Sequence, residues 1–159
     1  VAGWHAENLY LAARVRDQSV RRTHARGGGL WADDCLEVFL DSDVLGDFDY
    51  PRLSGDDWQM MFSPPDPQSP YKQADWYVTN RSDGLAFAAR RTDDGYTCEI
   101  RMPWKNLRLD PAAGRVIGFD ANVEDSDHDR SERPVIYWVG DQQNWKNTAG
   151  YGSLLLTGE

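Results

Sequence analysis

The sequence predicts an all-β fold, an antiparallel β-sandwich of jelly-roll type. Three observations carry this. Apolar residues recur with a period of two in about nine short runs. Glycine, proline, aspartate and asparagine part the runs at regular intervals. No helix-length window keeps a 3.6-residue period, and the one helix-like piece, residues 103–107, is a turn or so long. Alternation buries one face of each strand, so two such sheets must cover each other.

The runs follow in order. Residues 9–16 put Leu9, Leu11, Ala13 and Val15 on one face. Residues 35–40 put Leu36, Val38 and Leu40 together, with Cys35, Glu37 and Phe39 opposite. Residues 58–62, 76–79 and 85–90 read as three more strands. In residues 95–102, Tyr96, Cys98, Ile100 and Met102 face inward while Thr97, Glu99 and Arg101 face out. Residues 116–123 turn Ile117, Phe119, Ala121 and Val123 in and Asn122 out. Residues 135–139 and 153–156 complete the set. Trp4, Trp104 and Trp138 stand in or beside apolar strands and are expected to pack there. Long loops fill 41–57, 63–75 and 124–134.

No repeat or linker divides the chain, so residues 1–159 are expected to be one domain. Residues 1–4 look like the tail of a strand already under way. Either the domain starts short or an opening strand is missing, which would leave a sheet edge open to pairing.

The net charge of −9 argues against nucleic-acid and anionic membrane partners, both of which would repel the chain. No apolar run approaches the roughly 20 residues needed to span a bilayer. Cys35 and Cys98 fall on opposite faces of their strands, which argues against a bridge between them.

Two tryptophans stand apart from this pattern. Trp31 follows three glycines and precedes Asp33 and Asp34, and Trp145 sits among Asp141, Gln142, Gln143, Asn144 and Asn147. A large ring in a polar loop suits a flat ligand that is part apolar and part hydroxylated, and a sugar is such a ligand. Two rings covering ~100–200 Å² of apolar surface would supply about 2.5–5 kcal/mol at roughly 25 cal/mol/Å². Association costs reduce this to a dissociation constant of about µM to mM.

Several blocks resemble carbohydrate-binding module family 9, known from xylan-degrading enzymes. They are the run from Trp4 to Leu11, the stretch Val15, Arg16 and Asp17, and a longer Trp31-Ala32-Asp33-Asp34-Cys35-Leu36-Glu37-Val38-Phe39-Leu40-Asp41. Gly95 to Glu99 leading to Trp104, Val116 to Phe119 leading to Asp125, and Trp145 leading to Tyr151-Gly152-Ser153-Leu154 follow. The Trp31–Asp41 block is the most specific of these.

The resemblance implies a β-sandwich without catalytic activity, in which two tryptophans sandwich a terminal sugar, often at the reducing end of a glycan. By position these are Trp31 and Trp145. Glu37 would accept hydrogen bonds from sugar hydroxyls, and Asn122 and Gln142 fall where the family places amides on the ligand. Met61 stands where the family type member has an arginine, which bears on reducing-end preference. The opening strand that normally precedes Trp4 is absent. The family setting implies a secreted bacterial protein in which an attached catalytic domain is held on cell-wall glycan such as cellulose or xylan.

Family members often carry structural calcium. Two acidic clusters offer oxygen ligands at short spacing: Asp41 and Asp43 with Asp47 and Asp49, and Glu124 through Asp129. Neither has the EF-hand spacing. The metal candidates are Asp17, Asp125 and Asp127.

Catalytic motifs are lacking: there is no Gly-x-Ser-x-Gly, His-Glu-x-x-His or phosphate loop. A carboxylate pair such as Glu37 with Asp34 could imitate a glycosidase. The alternative function is a haem- or metal-carrying redox sandwich using Met60, Met61 and His128. A third is an adhesion domain with no sugar pocket.

Overall fold

The structure, a computed structural model, describes residues 1–23, 27–46, 49, 52–127 and 134–158. Asp47, His128 and Asp129 of the sequence reading lie outside the described residues.

Among the described residues, ten strands form two antiparallel sheets. They are β1 Ala2–His5, β2 Asn8–Arg16, β3 Cys35–Asp41, β4 Asp57–Ser63, β5 Asp75–Val78, β6 Ala86–Thr92, β7 Gly95–Pro103, β8 Val116–Glu124, β9 Val135–Tyr137 and β10 Gly152–Leu155. One sheet has the order β1-β2-β7-β6 and the other β10-β8-β3-β4-β5, with β9 also on β8. The strand read at residues 1–4 is β1, which turns back onto β2, pairing Gly3 with Tyr10 and His5 with Asn8. The outer edge of β8 is shared, with β10 on its first half and β9 on its second.

The core lies between the sheets where alternation put it. Leu9, Leu11, Val15, Tyr96, Cys98, Ile100 and Met102 come from the first sheet, and Leu36, Val38, Leu40, Trp58, Met60, Phe62 and Ile117 from the second. Apolar burial of this kind is the main favourable term in folding. Cys35 and Cys98 are both buried and free.

The central strand β3 departs from simple alternation, since all seven of its residues are buried. Its second face, carrying Cys35, Glu37 and Phe39, is roofed by loops instead of water. One of these contains a short 3₁₀ turn, Leu30–Ala32, where the sequence suggested only irregular loop. Of residues 103–107, Pro103 ends β7 and 104–107 form turns, not a helix.

Two of the three strand-associated tryptophans pack as expected. Trp104 is buried and donates its indole N–H to the His5 carbonyl at 2.8 Å, with Trp4 edge-on against it. Trp138 does not: β9 ends at Tyr137, and the Trp138 ring lies edge-on to Phe119 at the sheet margin, 53 % exposed. A sheet edge gives a ring one apolar neighbour and leaves its other side to solvent.

Candidate functional site

Register across the second sheet sets up the site. Tyr137 pairs with Asn122, Asn122 with Glu37, Glu37 with Met61, and Met61 with Tyr77. Residues directly opposite in neighbouring strands put their side chains on the same face. One row of five therefore crosses β9, β8, β3, β4 and β5, on the face that turns away from the core.

Over this row lies a cavity of about 570 Å³, lined by Gly28, Trp31, Glu37, Gln59, Met61, Tyr77, Thr79, Glu124 and Trp145. Trp31 and Trp145 come to it from separate loops. Leu30 and Ala32 are buried on either side of Trp31, so the 3₁₀ turn roots itself in the protein and turns the indole outward, 50 % exposed. Hydrogen bonds from Leu30 N–H to the Gly27 carbonyl and from Ala32 N–H to the Gly29 carbonyl close the turn. Trp145 is 59 % exposed, with the Lys146 ammonium 5.4 Å from its ring centroid.

Glu37 is only 4 % exposed, so it is not a solvated strand glutamate. Burial is the largest influence on its carboxyl and pushes the pKa up to about 7, against lowering hydrogen bonds from Gln59 and Asn122. The Gln59 amide stands 3.5 Å from Glu37 Oε1. A carboxylate desolvated beside two aromatic rings, with an amide at its shoulder, is suited to accept neighbouring hydroxyls of a neutral ligand.

The sequence-derived residues divide. Trp31, Trp145 and Glu37 meet in the cavity. Asn122 is buried next to Glu37 and is not part of the lining, so it meets the site through that carboxylate. Gln142 shares the Trp145 loop but is exposed and also outside the lining. Reading the sequence alone missed Tyr77, Thr79 and Gly28. The alternation of Tyr77 with Thr79 was visible, but the pairing of β5 with β4 was not, and that pairing brings them to the site.

The acidic residues form a second feature. Carboxylate oxygens of Asp17, Asp34 and Asp127 lie within 4.8 Å of one another, the one such group among the described residues. Asp125 instead accepts the Asp127 backbone N–H at 2.9 Å and so shapes the loop. Asp34, missed as a ligand candidate, accepts backbone N–H groups from Arg21 and, at 2.6 Å, from Ser126. Burial foremost, with the Asp17 charge a lesser cause, raises its pKa to about 7. Its carboxylate is thus engaged in this cluster and does not line the cavity, so Glu37 and Asp34 do not form a glycosidase pair there. Asp41 accepts the Asp43 backbone N–H at 2.9 Å, and neither residue joins such a group.

Met60 is buried in the core while Met61 lines the cavity on the opposite face. The redox alternative needs one of them paired with His128, which lies outside the described residues.

Comparison with known proteins decides the family. The chain matches the family described as "Carbohydrate family 9 binding domain-like" over residues 2–159. It belongs to that family. It is 29 % identical over 157 residues to exoglucanase XynX of Acetivibrio thermocellus, covering 98 % of this chain and 13 % of that protein. Endo-1,4-beta-xylanase A of Thermoanaerobacterium saccharolyticum is also 29 % identical over 157 residues, with 98 % and 12 % covered. The chain therefore spans only about an eighth of the length of these relatives. Two solved structures share the fold: a family 9 carbohydrate-binding module from Caldicellulosiruptor kristjanssonii in complex with cellotriose (TM-score 0.75) and one in complex with glucose (TM-score 0.73). Each is 21 % identical and covers 99 % of this chain, and 73 % and 75 % of those chains respectively.

Proposed function

We propose that the cavity between Trp31 and Trp145 binds a sugar, and that this family 9 module does so without catalysis. The observation that carries the reading is that two half-exposed indoles from separate loops wall a single cavity with a buried glutamate in its lining. The indoles cover the apolar C–H faces of a pyranose. Glu37, Gln59, Thr79 and Glu124 are the polar groups within reach of its hydroxyls, and Asn122 acts by steadying Glu37. Met61 lies directly across the ladder from Glu37, so the ligand meets a thioether where the family type member offers a cation.

The relatives named as an exoglucanase and a xylanase are about eight times longer than this chain, which supports an attached catalytic domain here too. Binding would then raise the local concentration of enzyme on its glycan. An insoluble plant polymer such as cellulose or xylan cannot enter a cell, so the working place would be extracellular.

Calcium at Asp17, Asp34 and Asp127 is part of the proposal. The donor set is all oxygen, as calcium prefers. Asp127 Oδ1 is buried without a hydrogen bond, with Arg21 Nε 3.6 Å away. A cation would also favour the ionised Asp34 carboxylate, which burial foremost and the Asp17 charge to a lesser degree disfavour.

Calorimetry with glucose, cellobiose, xylobiose and their reduced alcohols tests the sugar reading. Saturable heat with any of the sugars supports it; flat titrations across the panel refute it. Loss of binding on reduction would identify the reducing end as the recognised unit.

A further inference from the structure

We infer that Asp120 and Asn144 are the positioning residues of the site, holding Trp145 on one wall and Glu37 on the sheet through one buried polar node. The inference rests on the cavity being the sugar site. Its starting point is the loop that carries Trp145. Between residues 139 and 150 only Asn144 is buried; Val139, Asp141, Gln142, Trp145 and Lys146 are exposed. Apolar packing therefore does little to fix this segment. Hydrogen bonds do it instead: backbone turn bonds and the Arg52–Asn147 bridge hold its far side, and one carboxylate gathers its near side.

Asp120 lies on β8 and is fully buried. Its Oδ1 accepts the backbone N–H of Ala121 at 2.7 Å and of Val139 at 3.1 Å. Its Oδ2 accepts the backbone N–H of Gly140 at 2.5 Å and the Asn144 side-chain amide at 3.0 Å. A carboxylate with four donors is fully satisfied, and no neutral side chain of the same shape offers as many acceptor sites. The Asn144 amide is shared. Its Nδ2 also reaches Asn122 Oδ1 at 3.3 Å, and Asn122 in turn hydrogen-bonds Glu37. Its Oδ1 accepts the Asp141 backbone N–H at 3.3 Å, and its own carbonyl accepts the Tyr151 hydroxyl at 2.9 Å. Trp145 is the next residue along.

Gly140 shows how closely this node is built. A Cβ there would collide with Asn144 Oδ1, Nδ2 and Asp120 Oδ2, so only glycine lets the carboxylate close on the loop. Displacing the Asn144 amide would move both ends of the site, the indole through the chain and the glutamate through Asn122. Sites need this kind of support because a ring misplaced by an ångström no longer covers its ligand.

The test compares the wild-type protein with Asp120→Asn and Asn144→Ala. Glucose and cellobiose are titrated by calorimetry, and the assigned indole N–H signals are followed by two-dimensional NMR. Leaving the loop amides facing a donor, or removing the shared amide, is expected to weaken binding about tenfold or more. The Trp145 indole signal should broaden and lose its sugar-induced shift, while the signals of buried Trp58 and Trp104 stay in place. That pattern separates positioning from general loosening of the fold. Should Asp120→Asn fail to fold, Gly140→Ala reads the same node from the loop side. Folded variants with wild-type affinity and an undisturbed Trp145 signal would overturn the inference. If wild-type protein binds no sugar, the functional reading fails, and the Trp145 signal in the unliganded variants still decides whether the node holds the loop.

Discussion

Trp31 and Trp145 wall the same cavity although one rides a 3₁₀ turn ahead of β3 and the other a loop between β9 and β10. Neither ring is needed by the core, because each is at least half exposed. Truncation should therefore separate binding from folding. Trp31→Ala or Trp145→Ala removes ~50–100 Å² of contact, about 1–2.5 kcal/mol at roughly 25 cal/mol/Å². We expect a loss of sugar affinity of roughly 5- to 70-fold for each. Stability should move by no more than about 0.5 kcal/mol, as for exposed surface changes. Calorimetry and thermal melts on the same samples check both halves, and unchanged affinity in both variants excludes the sandwich.

Glu37 gives the site a pH dependence of definite sign. Its ordinary pKa near 4.5 is raised by burial to about 7. The folded protein thus holds the proton more tightly than the unfolded chain. Its contribution to stability is fully present below pH 4.5, declines as pH rises, and levels off above pH 7. The span corresponds to about 3 kcal/mol. Binding should run the other way, tightening as pH rises through about 7, because the ionised carboxylate is the better acceptor for hydroxyls. Glu37→Gln should weaken binding and flatten its pH profile. Titrations at pH 5 to 8 check this; a wild-type profile that is level across the range counts against Glu37 as the acceptor.

Much of this was legible in the sequence because alternation is a local property. The inward rows of β2, β3, β7 and β8 followed from parity alone, and the loop indoles from their polar surroundings. What parity could not supply was what covers an outward face. Glu37 reads as solvent-facing on β3, yet loops distant in sequence bury it. Tyr77 and Thr79 needed the β4–β5 register. Asp34 needed the approach of Asp17, at the end of β2, and of Asp127, after β8. Trp138 looked like core because its strand was read two residues too long.

Met61→Arg should restore a cation opposite Glu37. The two residues are direct partners in the β3–β4 ladder, and Met61 is almost fully buried. A guanidinium there favours the ionised carboxylate and lowers its pKa. The midpoint of the binding pH profile should accordingly fall below 7, with affinity at pH 6 rising relative to wild type. A midpoint that stays near 7 in a folded variant means that the arginine points elsewhere.

Asp17, Asp34 and Asp127 bring three carboxylates together, and burial foremost raises the Asp34 pKa to about 7. A divalent cation that binds only the folded chain stabilises it by mass action, about 2.7 kcal/mol at a hundred times its dissociation constant. Calcium should therefore raise the melting temperature at pH 7.5 and a chelator should lower it. At pH 5 the effect should shrink, since Asp34, with its pKa raised to about 7, takes up a proton in competition with the metal. Asp34→Asn removes a ligand and a charge together, so it should abolish the calcium response. The same substitution turns an amide donor toward one of the two backbone N–H groups that Asp34 accepts, so its melting temperature in chelator should fall below that of wild type. Asp125→Asn should keep the calcium response, because that carboxylate caps the Asp127 amide and does not join the cluster. Melting curves with 1 mM EDTA or excess calcium, on the order of these concentrations for a metal of ordinary affinity, check all four outcomes. A wild-type melting temperature indifferent to both additions would remove the metal from the proposal and leave the cluster as a loop closed by hydrogen bonds.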